Sequence, residues 1–132
     1  MTTPAPVFDR QEQLQQVEAG LLDGEQIFAV YDLKGGGAGF VGITSKRLIV
    51  FEHTHLMPDH HPAIVSIPYS KIMTVAAQED PNPIAGRGFF SSSKLIVALP
   101  GNHYDFEFRG ADKALHAHNL ILWHMLHAPG GR

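Results

Sequence analysis

The chain has 132 residues, 44% of them hydrophobic and 17% charged, a size and composition suited to one domain that buries its own core. Its formal charge of −3 argues against nucleic acid or an anionic membrane as an electrostatic partner, since both reward clustered Lys and Arg. The absence of cysteine excludes a disulfide framework and a thiol nucleophile, and it fits a reducing compartment.

In chain order, residues 1–8 read as a disordered lead-in, with Pro4 and Pro6 and no periodicity. The first ten residues lack the apolar run of a signal peptide, and no later stretch approaches the about 18 apolar residues of a membrane span. The expectation is a cytoplasmic protein with no transmembrane segment. Asp9-Arg-Gln-Glu12 has the form of a capping box, with Asp9 able to cap and Glu12 able to reach back. Leu14, Val17 and Leu21 follow at helical spacing, so residues 9–24 form a short helical unit ended by Asp23-Gly24.

Seven strand-like segments come next. They are Gln26–Leu33, Phe40–Thr44, Leu48–His53, Ala63–Tyr69, Ile72–Gln78, Lys94–Leu99 and His103–Arg109. Ser45-Lys46-Arg47 and Pro100-Gly101-Asn102 supply hairpin turns. Tyr104, Phe106 and Phe108 alternate with Asp105, Glu107 and Arg109, the pattern of one buried and one wet face. Lys94–Leu99 is apolar on both faces, which suggests a strand covered on both sides. A loop over residues 80–92 separates the last two hairpin strands from the rest.

One amphipathic helix, Ala111–His127, closes the chain. A helical wheel places Ala111, Ala114, Leu115, His118, Leu122, Met125 and Leu126 on an apolar side expected to pack on the sheet. Lys113, His116, Leu120, Trp123, His124 and His127 fall on the other side. Leu120 and Trp123 there need a cover, either the N-terminal helix or another subunit. The fold class expected is a mainly β barrel of seven strands capped by one helix, over residues 25–128, with a flexible tail at 129–132.

Leu22-Asp23-Gly24-Glu25, Val41–Phe51 with its Thr44-Ser45-Lys46-Arg47 turn, and Ser66–Ile72 with Ile67-Pro68-Tyr69 together resemble the bacterial pleckstrin-homology-like domains. In that family an "L-x-G-E" lead-in, a "hydrophobic-x-T-x-x-R-hydrophobic" hairpin and an "I-P-Y-x-x-I" segment recur at about this spacing. The resemblance spans nearly the whole chain and implies a seven-stranded, partly open barrel with a C-terminal helix over one end. It also implies a binding role and a tendency to form ring-like homo-oligomers, which would explain an outward Trp123. Each motif marks a turn rather than a chemical site: Thr44 and Ser45 bond locally, and Lys46 and Arg47 stay solvated.

Phosphoinositide-binding relatives resemble one another in a basic pattern over the first two strands and their loop. Here that loop is Lys34-Gly-Gly-Gly-Ala-Gly39 and the strand Phe40–Ile43 carries no basic residue. One lysine cannot clamp a multiply phosphorylated headgroup, so phosphoinositide binding is disfavoured. Lys34, Lys46 and Arg47 are what an anion-binding or lipid-headgroup adaptor would have to use. The glycine run joins two strands with no helix N-terminus to receive a phosphate, which favours a plain hairpin loop.

Nine histidines supply the sharpest metal-like pattern. His53 and His55 point the same way on an extended strand, and His60-His61 after a short loop could complete a tetrahedral site. No cysteine assists them, and an exposed polar loop is the simpler account. His118 reads as a hydrogen-bonded core histidine, and His124 and His127 as a solvated face favoured by the helix dipole. No catalytic residues are assigned, because Asp105 and Glu107 point outward and no Ser/His/Asp set can be placed together.

The function expected is non-enzymatic, without a cofactor. It is a binding or scaffolding module that self-associates and contacts a protein or peptide partner. Its contact residues are Leu120 and Trp123 on the outer helix face, and Arg87, Phe89 and Phe90 in the long loop, where aromatics beside an arginine suit an interface and equally a buried plug at a barrel end.

Overall fold

The computed structural model describes residues 5–34, 39–53, 62–79 and 92–127. In chain order the elements are β1 (Val7–Phe8), α1 (Gln11–Ala19), β2 (Ile27–Asp32), β3 (Phe40–Thr44), β4 (Arg47–His53), β5 (Pro62–Pro68), a 3-10 turn (Tyr69–Lys71), β6 (Thr74–Glu79), β7 (Ser92–Leu99), β8 (Asn102–Arg109) and α2 (Lys113–His127). The seven expected strands are all present, each within a few residues of its sequence-based bounds. The helix begins two residues later than the wheel placed it. Val7–Phe8, read from sequence as part of the lead-in, is instead paired with β2.

The strands form two sheets, one in the order β1-β2-β3-β4-β5 and one in the order β6-β7-β8. All neighbours are antiparallel except β1, which runs parallel to β2. The sheets meet along a narrow seam where Leu33 bridges Phe108 and the Lys34 amide donates to the Glu107 carbonyl at 2.7 Å. α2 lies over the three-stranded sheet and the 3-10 turn, and it reaches β3. Side chains from both sheets and α2 share the main core, including Tyr31, Val41, Leu48, Leu95, Phe106, Phe108 and Ile121.

The first sheet is apolar on both faces, and each face has a cover. Val41, Ile43, Leu48 and Val50 point into the main core. Phe40, Ile49 and Phe51 point the other way, against Leu14, Val17 and Leu21 at α1. A register shift between Ile27 and Ala29 places both Ile27 and Val30 on the α1 side, which a strict two-residue period could not do. α1 has nine residues, too short to persist in water alone, so its packing on β2 and β3 holds it. That packing is close at Gly42, where a Cβ would stand 3.3 Å from Val17 Cγ2.

Among the described residues the second sheet has no such outer cover. Ile96 on β7 is 44% exposed, so the strand is not covered on both sides as its composition suggests. Scattered exposed apolar side chains are ordinary on protein surfaces, and composition alone cannot tell a covered strand from one of these.

The wheel for α2 is rotated relative to the structure. Its buried residues are Ala114, Ala117, Ile121 and His124, while Leu115 and Leu126 face outward and Leu120 packs against the core. Apolar residues surround this helix on all sides, so periodicity gives no sharp direction. Two alanines let the backbone approach the sheet, and the bulkier leucines take the flanks. α1 covers the far face of the first sheet and not the outer side of α2.

Candidate functional site

The motif residues come together in one hydrogen-bonded network. Leu22–Glu25 forms a turn closed by the Glu25 amide donating to the Leu22 carbonyl at 3.0 Å. Gly24, its third residue, has φ +76°, a conformation that favours glycine. The turn delivers Glu25 into the protein, where its side chain is fully buried. Arg47, on the first residue of β4, donates Nε to Glu25 Oε2 at 2.9 Å and Nη2 to Oε1 at 3.1 Å. The same guanidinium donates to Ser66 Oγ at 2.8 Å and to the Gly20 carbonyl at 2.9 Å.

Thr44 completes the carboxylate's shell. Its hydroxyl donates to Glu25 Oε2 at 2.6 Å and accepts the Lys46 and Arg47 amides at 3.1 Å each, so the Thr44–Arg47 turn is built around it. Tyr69 Oη lies between the carbonyls of Thr44 and Arg47 at 2.7 and 2.9 Å. Burial alone would raise the Glu25 carboxyl. Arg47, the Leu22 amide and the Thr44 hydroxyl outweigh it and hold the carboxyl at about 2. Arg47 is therefore not a solvated turn residue: each of its three guanidinium nitrogens has an acceptor within the protein, because a buried carboxylate 22 residues upstream in sequence requires it.

That commitment bears on the anion reading. Of Lys34, Lys46 and Arg47, the last is spent on Glu25, and Lys46 lies in the turn with its amide on Thr44. Lys34 is joined to β8 through its backbone.

A second network joins the N-terminal segment to α2. Asp9 was the expected helix cap, but α1 is preceded by Arg10 with no side-chain cap. The Asp9 carboxylate instead accepts the Asp32 amide at 2.9 Å and the Lys113 ammonium of α2. Glu12 pairs with Arg10 rather than reaching back to the helix start. Asp32 in turn accepts Gln13 Nε2 at 2.7 Å and Arg109 Nε at 3.2 Å. Lys113 Nζ sits 5.9 Å above the Tyr31 ring, and Tyr31 Oη bonds His116 Nδ1. Burial first, and the Asp9 charge second, push the Tyr31 hydroxyl up to about 12.

The start of α2 is capped from across the sheet. Ser93 Oγ on β7 accepts the Ala114 amide at 3.0 Å and donates to the Gly110 carbonyl at 2.7 Å. Its end carries the histidines. His124 is buried, stacked on Tyr69 with ring centroids 4.7 Å apart, and it meets the Leu120 carbonyl through Nδ1 at 2.7 Å. A carbonyl only accepts, so Nδ1 carries the hydrogen. The buried histidine of this helix is thus His124. His118 is half-buried and bonded to Asn119.

Outside the core, α2 presents an apolar ridge. Leu115 is 52% exposed, Trp123 55% and Leu126 73%, with Leu122 half-buried between them. Trp123 stacks on His127 at 4.0 Å between centroids, and His127 Nδ1 meets the Trp123 carbonyl at 2.6 Å. No Asp, Glu, Lys or Arg occurs between Ala114 and His127. Of the two outer-face residues expected, Trp123 lies on this ridge and Leu120 is half-buried and packs against the core. Leu115 and Leu126 are the residues that sequence reasoning missed, because the wheel assigned them to the sheet.

Arg87, Phe89 and Phe90 lie outside the described residues, as do His55, His60 and His61. His53 ends β4, and its side chain is likewise undescribed. Among the described residues no group of three or more His, Asp or Glu side chains is placed to hold a metal ion, and no helix is long and apolar enough to cross a membrane.

No protein-family model matches the chain, and no curated protein matches it. Among solved structures it is similar to the crystal structure of a pleckstrin homology domain from Shewanella amazonensis SB2B. The TM-score is 0.56 and the identity 20%, over 89% of this chain and 90% of that one. The chain has the pleckstrin-homology fold, as its turn motifs led us to expect.

Proposed function

We propose that this chain is a non-enzymatic binding or scaffolding module that self-associates and contacts protein partners through the outer face of α2. One observation carries the reading: Leu115, Trp123 and Leu126 are exposed apolar side chains on an outer helix face that also carries Asn119 but no formal charge from Leu115 to Leu126. Exposed apolar side chains grouped on one face mark interaction sites, and a tryptophan among them supplies the large rigid anchor that interfaces favour. Arg87, Phe89 and Phe90 remain part of the proposed contact surface.

The perturbed groups support a non-catalytic role. Glu25 is held at about 2, Tyr31 is pushed up to about 12, and Tyr69 is driven further up by burial. All three move away from neutrality, where acid–base chemistry needs its groups. The cysteine-free composition supports a reducing, cytoplasmic setting.

The test is light scattering on the full chain at tens of micromolar, beside Trp123→Ser and Leu126→Ser. We expect an oligomer for the unmodified chain and a shift to monomer in both variants. Their urea midpoints should stay within about 0.5 kcal/mol of the original, since both side chains are on the surface. A strict monomer for the unmodified chain defeats the self-association reading.

A further inference from the structure

The β2 edge is filled by the chain's own N-terminal segment in a manner that resembles the capture of an extended peptide. Val7 pairs with Ala29 and Phe8 with Val30, in parallel. The Asp9 amide donates to the Val30 carbonyl at 3.2 Å. The Asp9 carboxylate then turns inward to the Asp32 amide and Lys113. β8 meets this same edge only at Leu33 among the described residues, so β1 occupies the stretch that β8 does not reach.

The hold is uneven. Val7 and Phe8 are 50% and 43% exposed, so little apolar surface binds them, and a two-residue ladder contributes few hydrogen bonds. The specific part is the carboxylate. Were Asp9 to leave, the Asp32 amide would lose its acceptor. Lys113, fixed above Tyr31, would lose the one carboxylate it pairs with among the described residues, since Arg109 already takes Asp32. The vacated edge would then offer an unpaired strand with a cation and an amide donor at one end. Those are the complements of a short extended segment that ends in an acidic side chain.

We infer that the β2 edge beside Lys113 is a docking site for an extended peptide segment of a partner protein, two apolar residues followed by an aspartate, and that Val7-Phe8-Asp9 occupies it in cis at rest. This site is separate from the α2 ridge and stands or falls without it.

The test uses a fluorescein-labelled peptide copying residues 5–12 and the full-length chain. The unmodified chain, whose own arm competes, is expected to bind the peptide at least about tenfold more weakly than the Asp9→Asn chain. Adding Lys113→Ala to Asp9→Asn should weaken binding by about tenfold, and Lys113→Arg should retain it, because the peptide carboxylate needs the cation. Equal affinity for the unmodified and Asp9→Asn chains, or affinity indifferent to Lys113→Ala, overturns the inference. Amide exchange on the unmodified chain decides the matter even where a variant fails to fold. The Asp9 and Asp32 amides should exchange on the order of 100-fold faster than that of Val50, through local opening of the arm. Protection equal to Val50 would show an arm that does not leave, and it defeats the proposal.

Discussion

Two of the ion pairs that tie distant parts of this chain together, Glu25 with Arg47 and Asp9 with Lys113, differ in their surroundings. The Glu25 side chain is 0% exposed and Arg47 17%, the carboxylate accepts from Leu22, Thr44 and Arg47, and each guanidinium nitrogen has an acceptor. Asp9 and Lys113 are 18% and 28% exposed, and the two-residue strand that precedes Asp9 rests on the surface. Both pairs are opposite charges in contact. What separates them is completeness: a buried pair with a full hydrogen-bond shell resists loss of either member, whereas a pair at the rim, on a two-residue strand, can be exchanged. The first acts as a lock on the fold and the second as a latch.

The comparison is broken most directly at the lock. Arg47→Ala leaves the Glu25 carboxylate buried without its cation, with an expected cost of about 3–5 kcal/mol, read as a fall in the urea midpoint. The acid response has a definite sign. Glu25 titrates near 4.5 when unfolded and at about 2 when folded, so its contribution is complete above pH 4.5. It is lost as the pH falls through that interval toward 2. Glu25→Gln should therefore lower stability at pH 7 and flatten the decline between pH 4.5 and 2 in urea titrations. An unchanged acid profile would sink the assignment of that decline to Glu25. At the latch, Asp9→Asn should cost about 1.5 kcal/mol by the same titration at pH 7, the free energy that matches a tenfold change in peptide affinity and less than the loss at the lock. A loss as large as that of Arg47→Ala would erase the distinction between the two pairs.

The sequence made the strands legible because alternation and turn residues are local. Tyr104, Phe106 and Phe108 announce β8 by their period, and Pro100-Gly101-Asn102 announces its hairpin. It also pointed to the importance of Glu25, Thr44, Arg47 and Tyr69 through their recurring turns, though not to their union. Arg47 reads as a solvated turn residue because the carboxylate it serves stands 22 positions away. Asp9 reads as a cap because a capping box is a local pattern, while its true partners, Asp32 and Lys113, are brought to it by sheet and helix. The facing of α2 was illegible for a different reason. With leucines all round the helix, two alanines and a histidine decided which side meets the sheet, and no periodicity encodes that choice. The ridge of Leu115, Trp123 and Leu126 emerged only once Ala114, Ala117 and Ile121 were seen beneath it.

Every extended ladder among the described residues joins strands that are consecutive along the chain, and only the Leu33–Phe108 bridge spans the barrel. This gives the molecule a time order as well as a shape. Hairpins close short loops quickly, and contacts between distant segments carry the larger entropic cost. The β2–β5 sheet can assemble while the second sheet is still being synthesised, and the seam with its covering helix is then the closing event. Truncating Phe108 to Leu should accordingly quicken unfolding far more than it slows folding, a kinetic trace that stopped-flow chevrons would read.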